Sequence, residues 1–452
     1  MKSSALNLLV CPEMGPMSET ELTDRIRGHR ARLAIIGQGY VGLPLAVAFG
    51  HAGFPVTGLD TDPDKITALN AGRSYIPDVE STDLQHLLGT GRYEATPDFS
   101  ILEQSDVAVI CVPTPLRKSK DPDISYVVAA AEQVAAHFRP GQLVILESTT
   151  YPGTTEELLL PMFEARGAKA GQDLFLAFSP ERIDPGNRTF TVKNTPKVVG
   201  GITPACARLA ALLYRQIVTK VIEVSRPIVA ELAKLYENTY RSVNIALANE
   251  FAIMCRRLGV SSREVINAAA TKPFGFLPFY PGPGIGGHCI PIDPIYLAWK
   301  LRLNGYDARF VHLADEINRS MPAYVVDLVT EALNQRRCCV NGAKILALGV
   351  AYKRGVGDIR EAPALEVLAM LQKKGAEVSY ADPYVPSIVH EGLALKAVGL
   401  TEHHLAAADC VLILTDHPEF DYRRIVETAQ LIVDTRNATL GIPAPPGRIV
   451  SL

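Results

Sequence analysis

The stretch Leu33-Ala34-Ile35-Ile36, running into Gly37-Gln38-Gly39-Tyr40-Val41-Gly42, constrains this chain more than any other. Four apolar residues cut off by glycine read as a buried parallel strand, and a helix-like segment follows the third glycine. In that strand-turn-helix setting each glycine has a task. Gly37 allows the tight turn, Gly39 lets the backbone approach a pyrophosphate, and Gly42 lets helix and strand pack closely. Tyr40 and Val41 lie inside the turn, and the helix start presents free N–H groups and partial positive charge to phosphate. A second strand, 55–59, ends at Asp60. A carboxylate there accepts hydrogen bonds from an adenosine ribose and repels a 2′-phosphate, so the cofactor reading is NAD rather than NADP. The alternative is a glycine-rich turn that packs without ligand.

Further strand-like runs at 107–112, 143–146 and 174–178 alternate with helical stretches, which calls for a parallel sheet covered on both faces. One long helical pattern runs from Pro227, suited to a first helical position, to about residue 258, before Gly259. A second alternating block follows, with strands at 344–350, 377–381, 410–414 and 431–433 and a helix at 363–374. The expected fold is α/β: two Rossmann-like doubly wound domains joined by a long central helix. The expected divisions are an irregular tail at 1–30, a cofactor domain at 31–225, a central helical domain at 226–325 that carries a subunit interface, and a C-terminal domain at 326–452. With 48% apolar and 21% charged residues the 452-residue chain has the balance of a water-soluble globular protein. Its net charge of -3 argues against nucleic-acid and anionic-membrane partners. No apolar run is long enough to cross a membrane, and 5–10 is too short for a signal-peptide core, so the expected location is cytoplasmic. Met14 and Met17 are both possible starts.

The eight cysteines show no CxxC pairs and no Cys/His spacing of a zinc site, so no metal is expected. Most read as small apolar residues. Cys289 differs, because it follows Gly284-Ile285-Gly286-Gly287-His288, within a loop at 271–294 dense in glycine, proline and aromatic residues. Backbone N–H groups there would lower a thiol pKa, and a thiolate can attack an aldehyde carbonyl. Hydride loss from that adduct leaves a thioester, whose release by water needs a base, Asp293 or Glu181. The alternative for Cys289 is an inert buried thiol. His288 reads as a loop histidine and Cys111 as a core thiol. Thr114, in the Pro113-Thr114-Pro115 turn, either lines the cofactor pocket or only stiffens the chain. Lys234 and Asn238 project from one helical face, which Arg241, Ile245 and Asn249 continue. Such polar groups on an Ala/Leu-rich helix would be costly to bury without a polar ligand.

These motifs occur together in a known order. GQGYVGLPLA, CVPTP, ESTTYPGTT, SPERIDPGN, KLYENTYRSVNIALANE and PGPGIGGHCIPIDP, with Tyr352-Lys353 and Asp358-Ile359-Arg360-Glu361, resemble the UDP-glucose/UDP-N-acetylhexosamine 6-dehydrogenase family from residue 31 onward. The resemblance implies oxidation of the C6 alcohol of a UDP-sugar to a carboxylate with two NAD and one water, in the service of polysaccharide biosynthesis. It implies that Cys289 forms a thiohemiacetal and then a thioester, and that Lys234 and Asn238 stabilise the oxyanion at C6. Thr149, Glu181 and Asp293 would handle protons and the hydrolytic water. Gly37, Gly39, Tyr40, Val41, Gly42 and Asp60 would bind NAD, with Lys65, Thr114 and Thr149 lining the site. The substrate would meet Glu181, Arg182, Lys234, Asn238, Arg241, Phe279, Tyr280, Gly286, Lys353 and Arg360. A homodimer or higher oligomer built on the long helix is implied. The cysteine loop, with Ile292 where the glucose branch has lysine, resembles the N-acetylhexosamine branch, UDP-N-acetylglucosamine before UDP-N-acetylmannosamine. Ile183 and Gly357 depart from the family's usual acidic residues. Other readings are a UDP-glucose 6-dehydrogenase, a two-electron hydroxyacid dehydrogenase and a non-catalytic nucleotide-sugar sensor.

Overall fold

The computed structural model describes residues 17–117, 119, 121–184, 187, 189–390 and 392–452; residues 1–16, with Cys11 and Met14, lie outside them. The chain divides into two units, Met1–Lys234 and Leu235–Leu452. In the first, eight strands form one sheet: β1 (Leu33–Ile36), β2 (Val56–Leu59), β3 (Tyr93–Thr96), β4 (Val107–Ile110), β5 (Gln142–Leu146), β6 (Leu174–Phe178), β7 (Lys197–Gly201) and β8 (Val221–Val224). Their order is β3-β2-β1-β4-β5-β6-β7-β8. Strands β1, β4, β5, β6 and β7 are buried along their whole length, as strands covered on both faces must be. Alternate residues feed different cores. Leu33, Ile35, Val109, Ile145 and Phe175 pack with Leu45 and Phe49 of helix Gly42–His51. Ala34, Ile36, Ile110, Leu146 and Phe178 pack with Val127, Ala131 and Val134 of helix Ser125–Ala136.

Two features of this unit depart from expectation. The segment expected to be an irregular tail contains a helix, Glu19–Arg27, capped by the Ser18 hydroxyl, which accepts from the Glu21 N–H at 3.2 Å. Leu22 and Ile26, one turn apart, are fully buried, and Arg25 pairs with the buried Asp106 at 3.0 Å. Two apolar residues are too short a stripe to be read from sequence. The sheet is also not wholly parallel, because β7 runs antiparallel to β6, with Phe178 opposite Gly200.

The second unit begins within the long helix Pro227–Arg257 and continues through helices Ser262–Ala270, Asp293–Leu303 and Arg309–Gln335. It then forms β9 (Lys344–Leu348), β10 (Glu377–Ala381), a hairpin of β11 (Ser387–His390) and β12 (Leu393–Lys396), β13 (Cys410–Ile413), β14 (Ile432–Asp434) and β15 (Ile449–Ser451). The second sheet, β10-β9-β13-β14-β15, is parallel throughout. Its core gathers Ile345, Ala347, Leu412 and Val433 against Val367, Leu368 and Leu371 of helix Pro363–Lys373. Both alternating blocks thus fold as read, while the short strands β3, β7, β8, β11, β12 and β15 went unseen.

Candidate active site

The glycine-rich turn has the geometry its sequence predicts. Gly37 has φ +90°, and a Cβ there would lie 2.6 Å from the Cys111 carbonyl oxygen, so no other residue fits. A Cβ at Gly42 would collide with the Gly37 carbonyl, which lets the helix start against the strand. At Gly39 a Cβ would meet nothing within 4 Å. That open side is the space a pyrophosphate needs, and the residues present fit the cofactor. Tyr40 is 43% exposed and Val41 half-buried at the helix start. Asp60 is buried at the end of β2; it accepts from the Gln38 N–H at 2.9 Å and the Asp62 N–H at 3.0 Å. Lys65 pairs with it at 3.2 Å. The acid is therefore neutralised by a neighbour at its rim. The Tyr93 and Tyr75 hydroxyls hold Gln38 from behind, donating to its side-chain and backbone oxygens at 2.9 and 2.6 Å.

The ends of β4, β5 and β6 carry the next groups. Ser148 donates to the Val112 carbonyl at 2.8 Å, which ties the turn bearing Thr149 to the Pro113-Thr114-Pro115 turn. Thr114 is buried and Thr149 half-buried. The neighbouring Thr150 hydroxyl, 1% exposed, has no hydrogen-bond partner among the described residues. An orphaned buried hydroxyl is rare and asks for a ligand or water; sequence reasoning passed it over for Thr149. Glu231 closes this turn, accepting from the Thr155 N–H at 3.0 Å and the Thr155 hydroxyl at 2.7 Å. Burial pushes its carboxyl up, against those bonds.

Glu181 does not sit alone. One oxygen accepts the Arg182 and Ile183 N–H groups, each at 2.7 Å, and the other pairs with Lys197 at 3.0 Å. Burial works against its charge, but the Lys197 ammonium outweighs that and holds the carboxyl below its usual range. Arg182 donates to the Pro196 carbonyl at 2.6 Å. Lys197 also pairs with the buried Glu147 at 2.9 Å. Sequence reasoning quoted Glu147 without giving it a role and did not see Lys197 at all. Cys111 is buried, and burial pushes its thiol well up, as befits a core cysteine.

In the second unit Cys289 is exposed and unbridged. Its carbonyl accepts the N–H groups of Ile292 at 3.1 Å and Asp293 at 2.8 Å, so the cysteine stands one turn before helix Asp293–Leu303. Asp293 is 4% exposed and accepts from the Asn238 amide at 2.5 Å. Three expected residues are thereby linked: Asn238, Asp293 and, through the backbone, Cys289. Lys234 is buried one turn before Asn238 on the long helix. The rest of that face divides. Arg241 is exposed, while Asn249 is buried and fully engaged by protein: it donates to Asn318 at 3.0 Å and accepts from Gly282 N–H at 2.9 Å. Its task is to anchor the start of the cysteine loop, not to meet a ligand. Of the other described cysteines, Cys339 is exposed, Cys338 is half-buried, and Cys111, Cys206, Cys255 and Cys410 are buried.

The cysteine loop rests on the loop that follows β9. A Cβ at Gly286 would lie 2.7 Å from the Glu361 carbonyl oxygen and from the Tyr352 Cβ, and Gly287 N–H donates to the Arg360 carbonyl at 3.1 Å. Lys353 lies 5.8 Å from the Tyr352 ring, and Arg360 pairs with Asp358 at 2.6 Å. His288 is held neutral, its pKa lowered by burial and then by Arg360; it remains a loop histidine. Phe279 packs edge-on against Tyr240 at 5.8 Å, and Tyr280 donates to Asn267 at 3.0 Å beneath the Arg263 guanidinium. Arg436 escaped the sequence reading. Its Nε donates to the Leu414 carbonyl at 2.9 Å, and a Cβ at Gly282 would lie 2.6 Å from its guanidinium. Among the described residues no group of His, Cys, Asp or Glu has the arrangement of a metal site, and no helix is long and apolar enough to cross a membrane.

This geometry agrees with what the chain resembles. Residues 31–218, 228–320 and 346–440 match the NAD binding, central and UDP binding domains of the UDP-glucose/GDP-mannose dehydrogenase family. The chain belongs to that family and is an NAD-dependent UDP-sugar dehydrogenase. It is 37% identical to the UDP-N-acetyl-D-mannosamine dehydrogenase of Pyrococcus horikoshii, over 92% of this chain and 97% of the relative. Identity is also 37% to the UDP-N-acetyl-D-glucosamine 6-dehydrogenase of Pseudomonas aeruginosa, over 86% and 91%. The solved structure of the Pyrococcus horikoshii UDP-D-ManNAc dehydrogenase superposes with a TM-score of 0.84 at 35% identity, covering 93% of this chain and 98% of that one.

Proposed function

We propose that this chain oxidises the C6 hydroxyl of a UDP-N-acetylhexosamine, UDP-N-acetylglucosamine first, to the carboxylate through a thioester on Cys289. The observation that carries the reading is the exposed Cys289 one turn before the buried Asp293, which holds the Asn238 amide. Bound NAD supplies the hydride acceptor, one molecule per oxidation step. Gly39 and the helix start receive its phosphates, with Asp60, Lys65 and Thr114 around the rest. Lys234, with three donors, and the second N–H of Asn238 stabilise the negative oxygen at C6 as Cys289 adds to the aldehyde. Asp293 fixes the Asn238 amide so that this N–H is already oriented. Thr149 or the orphaned Thr150 hydroxyl binds the hydrolytic water, and the ionised Glu181 accepts its hydrogen bond. Arg182, Arg241, Phe279, Tyr280, Gly286, Lys353 and Arg360 serve the nucleotide sugar, with Arg436 as a further cation.

UDP-N-acetylmannosamine is the second reading, supported by the name of the Pyrococcus horikoshii relative. Purified enzyme with each UDP-sugar, followed by NADH absorbance, separates the two. Two NADH per sugar supports the thioester route and one NADH rejects it, whereas efficient turnover of UDP-glucose alone rejects the N-acetylhexosamine assignment. Cys289→Ser is expected to lower steady turnover by about a thousandfold with the fold intact, and undiminished turnover removes the cysteine from the mechanism. We also propose a homodimer through the long helix, which exposes Leu232, Tyr236, Leu247 and Met254. Apolar residues so numerous on one helix mark a contact surface. Leu247→Glu would then halve the sedimenting mass, and an unchanged mass rejects this surface.

A further inference from the structure

The antiparallel pairing of β7 with β6 has a chemical consequence. With Phe178 opposite Gly200, continuing the register past the strand end sets Glu181 opposite Lys197. A hydrogen bond from the Ser179 hydroxyl to the Val198 carbonyl, at 2.9 Å, extends the pairing. The Lys197 side chain is 7% exposed, and its ammonium lies between two carboxylates, 2.9 Å from Glu147 and 3.0 Å from Glu181.

The two carboxylates are not equivalent. Glu147 is fully buried and takes a hydrogen bond from the Tyr214 hydroxyl, with the Cys111 sulfur 4.0 Å away. Glu181 is 16% exposed and forms the open end of the cluster. One cation shared by two ionised acids leaves a net negative charge, which burial tolerates only if every oxygen is satisfied. Each oxygen of Glu181 is satisfied, by two backbone N–H groups on one side and Lys197 on the other.

We infer that Lys197 is a positioning residue for the hydrolytic half of the reaction, fixing the direction and charge of the Glu181 carboxylate, with Glu147 behind it setting how strongly. This rests on the reading of Glu181 as the carboxylate that orients water. The charged or titratable groups facing Glu181 are Lys197 from β7, Glu147 after β5, Cys111 after β4 and Tyr214 at the end of helix Pro204–Tyr214, with Arg182 on its own segment. Their effects agree with the geometry. Burial pushes the Glu147 carboxyl up, and the two acids raise the Lys197 ammonium despite its burial. Lys197 holds the Glu181 charge, while Glu147 competes for the same ammonium.

The test is the pH dependence of kcat and KM in four variants of the full-length enzyme. Glu181→Gln is expected to lower kcat by about a hundredfold. Lys197→Met is expected to move the acid limb of kcat up by about one unit, because Glu181 loses its cation. Lys197→Arg keeps the charge and restores most of the wild-type profile. Glu147→Gln moves the limb the other way, because Lys197 is then held by Glu181 alone. The opposed shifts, with the NAD KM within about twofold of wild type, are a signature a merely structural cluster does not produce. An unmoved acid limb in Glu147→Gln and Lys197→Met overturns the inference while leaving the role of Glu181 intact. Wild-type kcat in Glu181→Gln instead removes the reading on which it rests. If Lys197→Met fails to fold, Glu147→Gln decides alone: no downward shift overturns the inference.

Discussion

The first turn of each sheet begins in the same way and ends differently. After β1, Gly37 has φ +90°, its N–H donates to the Leu59 carbonyl, and the next N–H, of Gln38, donates to Asp60 at the end of β2. After β9, Gly349 has φ +75°, its N–H donates to the Ala381 carbonyl, and the next N–H, of Val350, donates to Asp382 at the end of β10. From there the two diverge. The position of Gly39 is taken by Ala351, which is buried and whose carbonyl accepts the Thr415 hydroxyl at 2.6 Å. The place of Gly42 is taken by Arg354, and the next helix waits until Pro363. Asp60 has its rim partner Lys65, whereas Asp382 is sealed by His417, both side chains being fully buried. The Gly355 N–H donates to His417 Nδ1 at 3.1 Å, and His417 Nε2 lies 3.1 Å from Asp382. The same acid at the same place is thus open to Lys65 at its rim in one sheet and closed within its loop by His417 in the other. The turn that would cradle a pyrophosphate has become a long loop carrying Tyr352, Lys353 and Arg360 to the cysteine segment.

The largest test of this contrast is Asp382→Ala. It leaves the N–H groups of Val350, Ala351, Tyr384 and Val385 and the buried His417 without their acceptor. The expected loss is about 3–5 kcal/mol in urea unfolding followed by circular dichroism, with the NAD affinity of the surviving folded enzyme unchanged. A loss under about 1 kcal/mol breaks the claim that this acid is structural. Asp60→Ala should show the converse. The NAD KM should rise by about 10–100-fold, roughly 1.4–2.7 kcal/mol, while NADP use gains because Lys65 is left to face the 2′-phosphate. Stability that falls while the NAD KM holds would make the two acids alike. Gly39→Ala comes third. The new methyl meets no protein atom within 4 Å, so folding is unaffected, yet it occupies the side a pyrophosphate approaches and should weaken NAD about tenfold.

What was legible in the sequence follows the range of the interaction. Gly37, Gly39, Gly42 and Asp60 were readable because a turn, a helix start and the next strand end lie within one local unit. Asp382 escaped because the same unit in the second sheet lacks two of its three glycines. Cys289 stood out by the glycines around it, and the structure gives those glycines a packing reason, the close approach of Tyr352 and Glu361 to Gly286. Lys197 was not readable. Its role depends on β7 running antiparallel to β6, and strand direction is decided by contacts far along the chain. Asn249 shared the helical face of Lys234 and Asn238, but spacing cannot tell a ligand from Asn318 and Gly282.

The smallest expected effect is the acid sensitivity that Asp382 contributes in the second sheet. Burial alone pushes the Asp382 carboxyl up, but the His417 hydrogen bond and the N–H groups of Val350 and Tyr384 outweigh it, and the pKa is lowered. A carboxyl lowered on folding stabilises above its unfolded value, about 3.9. That contribution is lost as pH falls from there through the folded value. Urea midpoints at pH 5 and pH 3 should therefore fall together in the wild type. In Asp382→Asn, which keeps the shape but not the charge, the midpoint should start lower and fall less. An equal fall in both would mean that Asp382 titrates as it does in the unfolded chain, and that its seal behind His417 does not hold its charge.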